Sequence, residues 1–136
     1  MIDYVKFAPL PVRDQNRALA YYTEKLGMRV AQDRPYQEGS RWIELTIPGA
    51  QTGIWFAPRA DDTPSEQPSL ILITTNVRAA HAELAAKGVV FTQEPTDSPW
   101  SPGEVLAVFH ETRAVRQRLE LHRATREAPL AGLQII

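Results

Sequence analysis

The feature that most constrains this chain of 136 residues is an internal repeat. Twice along the sequence, an apolar run is followed by a helix-capping side chain, an amphipathic stretch, a glycine and several further strand-like runs. Asp14 and Asn76 are the caps, and Gly27 and Gly88 are the glycines at which the helices are expected to end. A repeat with a period of about half the chain predicts one compact domain made of two similar modules. Two such sheets usually leave a groove between them, and a ligand site is expected there.

Both modules are predicted to follow the order β-α-β-β-β. Apolar and alternating runs place the strands of the first module at residues 4–13, 28–35, 41–47 and 52–57. The strands of the second module are placed at residues 69–74, 89–93, 104–109 and 118–122, with a long loop over residues 95–103. Pro9 and Pro11 lack a backbone N–H, which puts the first strand at an edge or a joint of its sheet.

A single domain is predicted to occupy residues 1–136. Module one covers residues 4–57, a linker 58–67, module two 68–122 and a C-terminal tail 123–136. The linker is polar and contains several prolines, as is common for connecting segments. The tail is polar at first and ends in apolar residues, a pattern that suits an arm packed on the domain or on a partner.

Composition and charge exclude several classes of function. The 15 basic residues are scattered and the net charge is −1, whereas nucleic-acid binding needs a concentrated basic face. The chain has no cysteine, which excludes disulfides, thiolate catalysis and Cys-bound metals. We find no signal-peptide pattern and no apolar run near the roughly 20 residues that a membrane span needs. A cytoplasmic protein with neither nucleic acid nor membrane as a partner is expected.

Four segments carry a family resemblance. They are LPVRDQNRALAYYTEKLGMRV (residues 10–30), RWIELTIPGAQTGIWF (41–56), VRAAHAELAAKGVVFTQEPTDSPW (77–100) and RLELH (118–122). With the repeated order of elements, they resemble the vicinal oxygen chelate superfamily, which includes glyoxalase I, bleomycin-resistance proteins and extradiol dioxygenases. The resemblance implies an α+β fold in which two βαβββ modules form a curled mixed sheet, a cup that is often completed across a homodimer.

One turn departs from the family pattern. Members often carry an Asp-Pro-Asp-Gly-Asn type of turn between the last two strands, whereas this chain has HETRAVRQR (residues 110–118). A tight hairpin turn needs positive φ angles at its central residues, which glycine adopts most readily. A longer or irregular connection is therefore expected.

The resemblance also implies where a divalent metal would be held, namely on the first and last strands of each module. The matching positions in this chain are Phe7, Trp55, Ser69 and Glu120. Phe7 and Trp55 cannot ligate a metal and Ser69 is a poor ligand, so that no metal cofactor is predicted. A rearranged site formed by Glu44, Glu120 and His122 stays open as an alternative. The alternative for Glu44 is a solvated carboxylate without a site role, because it lies on the third strand and the family ligand belongs to the fourth.

Glu120 and His122 are the candidate catalytic residues. Two positions apart on a strand, their side chains are expected to face the same way and to share a proton or a ligand. The alternative is that Glu120 pairs with an arginine such as Arg118 while His122 lies at the rim of the cup.

Aromatic residues are the main candidates for binding a ligand. An apolar cup with a few polar points is the usual composition of a small-molecule pocket. Trp100 lies in a proline-flanked loop and is a candidate lid, while Trp42 is assigned equally to the core or to a dimer interface. Plain packing is the alternative for every aromatic residue. The candidate substrate-binding residues are Phe7, Trp55, Ser69, Ile71 and Trp100.

Three functions fit these patterns. The first is a bleomycin-resistance-like protein that binds a small, partly apolar molecule without a metal. The second is a glyoxalase-like or dioxygenase-like enzyme, a lyase or isomerase that uses Glu120 and His122 on a small oxygenated metabolite. The third is a structural or regulatory dimer with a vestigial pocket.

Overall fold

Two compact units make up the described part of the chain. A computed structural model describes residues 1–60, 69–99, 105–110 and 118–123. In the last two of these ranges, only the side chains of residues 105–109 and of Leu121 are described. The first unit contains residues 1–60, and the second contains the described residues from Ser69 onward.

The first unit is a four-stranded mixed sheet with one helical segment. The strand order is β1-β4-β3-β2, in which β1 runs parallel to β4 and the other neighbours are antiparallel. Its elements are β1 (Phe7–Val12), α1 (Gln15–Ala20), a π-helical segment (Tyr21–Lys25), β2 (Arg29–Pro35), β3 (Arg41–Thr46) and β4 (Gly53–Pro58).

The second unit repeats this topology. Its sheet has the order β5-β8-β7-β6, again with the first and last strands parallel to each other. The predicted α+β class with two βαβββ modules is confirmed. The elements of this unit are β5 (Leu70–Thr74), α2 (Val77–Ala86), β6 (Val90–Asp97), β7 (Val105–His110) and β8 (Arg118–Arg123).

The two prolines of β1 lie at the edge of the first sheet, as predicted. The carbonyls of Lys6 and Val12 accept hydrogen bonds from Gly53 (2.8 Å) and Arg59 (3.1 Å), one at each end of β4. Backbone groups alternate in direction along a strand, so that the even-numbered residues of β1 bond to β4. Pro9 and Pro11 are odd-numbered and face the other side, where β1 has no neighbour among the described strands. Their missing N–H groups therefore cost no hydrogen bond to β4.

The predicted helix ends are confirmed. The side chain of Asp14 accepts a hydrogen bond from the backbone N–H of Arg17, and that of Asn76 accepts one from Ala79, each at 3.0 Å. Gly27 and Gly88 have φ angles of 71° and 88°, a left-handed conformation that favours glycine. Among the described residues, neither helix has the length and apolar character that crossing a membrane requires.

The first helix contains a π-helical segment that the sequence did not predict. After α1 the backbone widens, and the N–H of Leu26 donates to the carbonyl of Tyr21, five residues earlier, at 3.4 Å. Tyr21 and Tyr22 are both buried in this segment, and their rings contact each other edge to face. A regular helical period of 3.6 residues does not describe a widened turn, so the sequence pattern gives no sign of this segment.

The loop predicted over residues 95–103 was placed to begin too early, because the preceding strand is longer than predicted. Strand β6 continues to Asp97 and contains Pro95, with two shifts of register against β7, between Phe91 and Gln93 and between Gln93 and Thr96. Strand β6 is the outer strand of its sheet, a position where proline and bulges are tolerated. The predicted strand ended at residue 93, before the proline that this edge strand accommodates.

The core of the first unit lies between its sheet and its helical segment. The ring of Tyr22 packs against Phe56 of β4 with centroids 5.8 Å apart. Along β1, β3 and β4, the buried side chains on this face alternate with less buried side chains on the opposite face. They are Leu10, Ile43, Leu45, Ile54 and Phe56, each at most 1% exposed.

We expect Asn76→Ala to lower the free energy of unfolding by about 1 kcal/mol, because the N–H of Ala79 loses its acceptor. Asn76→Asp keeps an acceptor oxygen and should retain most of that stability. Urea denaturation followed by circular dichroism measures both variants. An equal loss in both variants would contradict the capping role.

Candidate functional site

The candidate site lies on the face of the first sheet that is opposite the helical segment. Strands β3 and β4 pair Glu44 with Trp55 and Leu45 with Ile54. Leu45 and Ile54 belong to the core, so that Glu44 and Trp55 share the opposite face. Both are half-buried. A carboxylate and an indole therefore lie side by side outside the core.

Four aromatic residues come together on this face and are called the aromatic cluster: Phe7, Tyr36, Trp42 and Trp55. The indoles of Trp42 and Trp55 are stacked, with centroids 4.7 Å apart and planes inclined by 23°. Phe7 and Tyr36 meet Trp42 edge to face, at 5.8 Å and 5.2 Å respectively. Trp42 therefore contacts all the other members and forms the centre of the cluster.

A hydrogen bond links the cluster to the carboxylate. The indole Nε1 of Trp42 donates to Oε1 of Glu44 at 2.7 Å, a short distance that is typical of a charge-assisted bond. The other oxygen, Oε2, has no hydrogen-bond partner in the part of the chain that the structure describes. The carboxylate is thus held in position and keeps one oxygen available.

Two basic side chains lie against the rings of the cluster. The guanidinium carbon of Arg34 is 6.0 Å from the ring centroid of Trp42, and Nζ of Lys6 is 5.8 Å from that of Phe7. Both basic residues are exposed. Such contacts use the negative face of an aromatic ring and contribute about 0.5–1 kcal/mol at exposed sites.

The indole N–H of Trp55 is buried without an acceptor among the described residues. The N–H of Trp42 is satisfied by Glu44, so that the two stacked indoles differ in this respect. A buried donor without an acceptor costs roughly 1–3 kcal/mol. A small turn of the Trp55 ring that exposes the donor to an acceptor would recover part of this cost.

Gly53 is required at the start of β4 for steric reasons. A Cβ atom added there would lie 2.7 Å from the carbonyl oxygen of Leu45, closer than side-chain carbons approach a backbone oxygen. Gly53 is also the register partner of Phe7 on β1. Trp55 lies two residues further along β4, and its ring centroid is 6.3 Å from that of Phe7.

The other predicted site residues belong to the second unit. Ser69 directly precedes β5 and is half-buried, and Ile71 on β5 is 7% exposed. The backbone register pairs Ile71 with Glu120 and Ile73 with His122. The side chains of Glu120 and His122 lie outside the described part of the structure. Residue Trp100 and the connection at residues 111–117 also lie outside it.

The residues at the implied metal positions do not fit a four-ligand metal site. A phenyl ring at residue 7 offers no donor atom, and the indole at residue 55 has an N–H that donates but cannot ligate. Among the side chains that the structure describes, no group of three or more His, Asp or Glu residues is placed to hold an ion. Of the rearranged site, Glu44 lies in the described part of the structure, and the side chains of Glu120 and His122 lie outside it.

The sequence placed Phe7 and Trp55 in a shared site, whereas it assigned Trp42 to the core or to a dimer interface. Glu44 was a candidate only for the rearranged metal site, and Tyr36 was given no role. The missed signal is the spacing of Trp42 and Glu44, which puts them on one face of β3. Pairing of that face with Trp55 depends on the register between β3 and β4. Tyr36 follows the end of β2, and no sequence period would assign it to the cluster.

Comparisons with known sequences agree with the implied family. The family model of the Glyoxalase/Bleomycin resistance protein/Dioxygenase superfamily matches residues 2–113. The Bacillus subtilis proteins YurT and YetH are 34% and 29% identical to this chain. Each alignment covers 74% of this chain and 85% of the relative, and both relatives are described only as uncharacterized proteins.

Solved structures with the same fold include an antibiotic-binding protein. TnmS3, an antibiotic binding protein from Streptomyces sp. CB03234, is 27% identical with a TM-score of 0.75, covering 91% of this chain and 98% of TnmS3. A superfamily member from Sphaerobacter thermophilus is 28% identical with a TM-score of 0.75, covering 90% and 98%. UcmS2 is 26% identical with a TM-score of 0.73 over the same shares. The predicted glyoxalase/bleomycin-resistance/dioxygenase fold is confirmed.

We expect Glu44→Ala to destabilise the protein by about 1–2 kcal/mol, because Trp42 Nε1 loses a charged acceptor. Glu44→Gln keeps an acceptor oxygen and should retain more than half of that stability. The indole N–H signal of Trp42 in proton–nitrogen NMR spectra reports the bond directly. It should exchange faster with solvent in the alanine variant than in the glutamine variant, and equal exchange in both would contradict the assignment.

Proposed function

The chain belongs to the Glyoxalase/Bleomycin resistance protein/Dioxygenase superfamily, and we propose that it binds a small planar molecule on the aromatic cluster without a metal ion. The observation that carries this proposal is the stacked pair Trp42 and Trp55 on a half-buried sheet face. A rigid aromatic surface outside the core is well suited to stacking with a flat ligand.

The physical support for binding comes from the geometry of the rings. Offset stacking and edge-to-face contacts add about 0.5–1.5 kcal/mol for each aromatic pair beyond the burial of apolar area. Phe7 and Tyr36 contact Trp42 edge to face, which restricts the motion of the indole before a ligand arrives. The indole is therefore partly ordered before the ligand binds. Less binding free energy is then spent on ordering this side chain.

The comparison with TnmS3 supports the same class of function. That protein is described as antibiotic-binding, and it shares the fold over nearly its whole length. By analogy, we propose that this chain sequesters its ligand in the manner of a bleomycin-resistance protein. The analogy supplies the class of function, and the aromatic cluster supplies the site.

The proposal of a metal-free site rests on donor chemistry. Two of the four implied ligand positions carry Phe7 and Trp55, whose rings offer no lone pair to a divalent ion. In this chain the same positions contribute to the aromatic cluster. The remaining implied positions, Ser69 and Glu120, would leave an ion without half of its protein ligands.

The homodimer and the cytoplasmic location belong to the proposal as well. The homodimer rests on the resemblance to the superfamily, in which the cup is often completed by a second copy. Light scattering coupled to gel filtration measures the mass of the assembly directly.

For ligand binding, we expect at least one planar tricyclic probe to bind saturably and to quench tryptophan fluorescence. The probes are neutral acridone, cationic proflavine and anionic anthraquinone sulfonate. Trp42→Leu and Trp55→Leu should each weaken the binding by about tenfold or more, because stacking on one aromatic side chain contributes about 1–3 kcal/mol. Isothermal titration calorimetry measures the dissociation constants.

Phe91→Leu is the matched control for this experiment. Phe91 contacts His81 of α2 with centroids 4.2 Å apart and belongs to the second unit. Its replacement should leave probe affinity unchanged within about twofold, and urea denaturation verifies that every variant is folded. Absence of saturable binding by all three probes would overturn the proposed function.

For the metal, we expect protein purified without chelators to contain far less than one equivalent of any divalent ion. Inductively coupled plasma mass spectrometry measures the content. A stoichiometric ion that is lost in Glu120→Ala would contradict the metal-free proposal. It would favour the alternative function, an enzyme that acts on an oxygenated metabolite through Glu120 and His122.

A further inference from the structure

We propose that the ligand of the aromatic cluster carries a positively charged group, such as a protonated amine, that pairs with Glu44. This inference rests on the proposed function and adds the chemical class of the ligand. It assigns Glu44 as the residue that selects ligands by charge. Neither the family resemblance nor the comparisons give Glu44 this role.

The Glu44 carboxylate lies next to the stacked indoles. Glu44 is the register partner of Trp55, and its Oε1 accepts from Nε1 of Trp42 at 2.7 Å. It therefore contacts one stacked indole directly and neighbours the other. A ligand that lies against the stack comes within reach of this carboxylate.

The second carboxylate oxygen of Glu44 remains available to a ligand. Oε2 of Glu44 has no hydrogen-bond partner among the described residues, while the hydrogen bond to Trp42 holds the carboxylate in place. A carboxylate accepts several hydrogen bonds, and a charged donor forms the strongest of them. Because Glu44 is half-buried, such a pair is screened less by water than a pair on the open surface.

The rings of the aromatic cluster already contact positively charged side chains. Arg34 and Lys6 already lie within 6.0 Å and 5.8 Å of the ring centroids of Trp42 and Phe7. Two basic side chains from different parts of the chain thus contact the cluster. The rings that surround Glu44 therefore have faces that accept positive charge, and a cationic ligand gains from the rings and from the carboxylate together.

The two basic side chains also compete with a cationic ligand. Both are exposed, and neither forms an ion pair with Glu44, although Asp33 on β2 is paired with Arg41 at 2.9 Å. Their charges are screened by solvent more strongly than that of half-buried Glu44. Removal of the Arg34 charge should consequently strengthen the binding of a cation.

The experiment compares probes of similar shape and different charge. Proflavine, acridone and anthraquinone sulfonate are all planar tricycles, and they are cationic, neutral and anionic respectively. In wild-type protein at low salt, proflavine is expected to bind about tenfold more tightly than acridone. Added salt should reduce this advantage only in part, because Glu44 is half-buried. Anthraquinone sulfonate is expected to bind more weakly than acridone.

Three variants test the assignment to Glu44. Glu44→Gln keeps an acceptor for Trp42 and removes the charge, so that it should lower the affinity for proflavine to about that for acridone. Glu38→Gln, which removes an exposed carboxylate of the same unit, should leave the preference intact. Arg34→Gln should increase proflavine affinity by about two- to threefold.

The outcomes separate this inference from the proposed function. If acridone binds but proflavine binds no better, or if Glu44→Gln keeps the preference, the inference is wrong while the planar-ligand function stands. Tighter binding of anthraquinone sulfonate would assign selectivity to Arg34 and Lys6 and would also overturn the inference. If none of the probes binds, the proposed function fails first.

Discussion

The register between β3 and β4 is the constraint on which the first unit depends. Pairing Leu45 with Ile54 puts both side chains into the core, and the same pairing sets Glu44 beside Trp55 on the opposite face. A slip by one residue would bury the carboxylate and expose the core side chains. Gly53 supports this register, because strands approach so closely there that a Cβ atom would meet the carbonyl oxygen of Leu45.

The face that this register creates combines two kinds of chemistry. Stacked indoles provide a flat apolar surface, and a carboxylate that is fixed by one of them provides a charge. The resemblance assigns Phe7 and Trp55 to positions where relatives hold a metal ligand. In this chain an aromatic contact of 6.3 Å joins the two side chains. The same strand positions can thus serve ligation or stacking, and the side-chain chemistry decides between them.

Much of the fold was predictable because it follows from local rules. Capping side chains, stop glycines and alternating strands define both modules, and the prolines of β1 correctly indicated an edge. The π-helical segment and the extension of β6 through Pro95 were missed. Strand β6 continues because it pairs with β7 beyond the proline, and the widened turn of the π-helical segment departs from the regular helical period.

For the candidate site as well, local features were predictable from the sequence and contacts between strands were not. By itself, the sequence determined the two-module architecture and the lack of metal donors at residues 7 and 55, because side-chain chemistry and periodicity are local properties. Only the tertiary structure decided that Trp42 is the centre of the aromatic cluster and that Glu44 is its hydrogen-bond partner. Trp42 meets Phe7 and Trp55 across three strands, and which residues stand opposite one another is set by strand order and register.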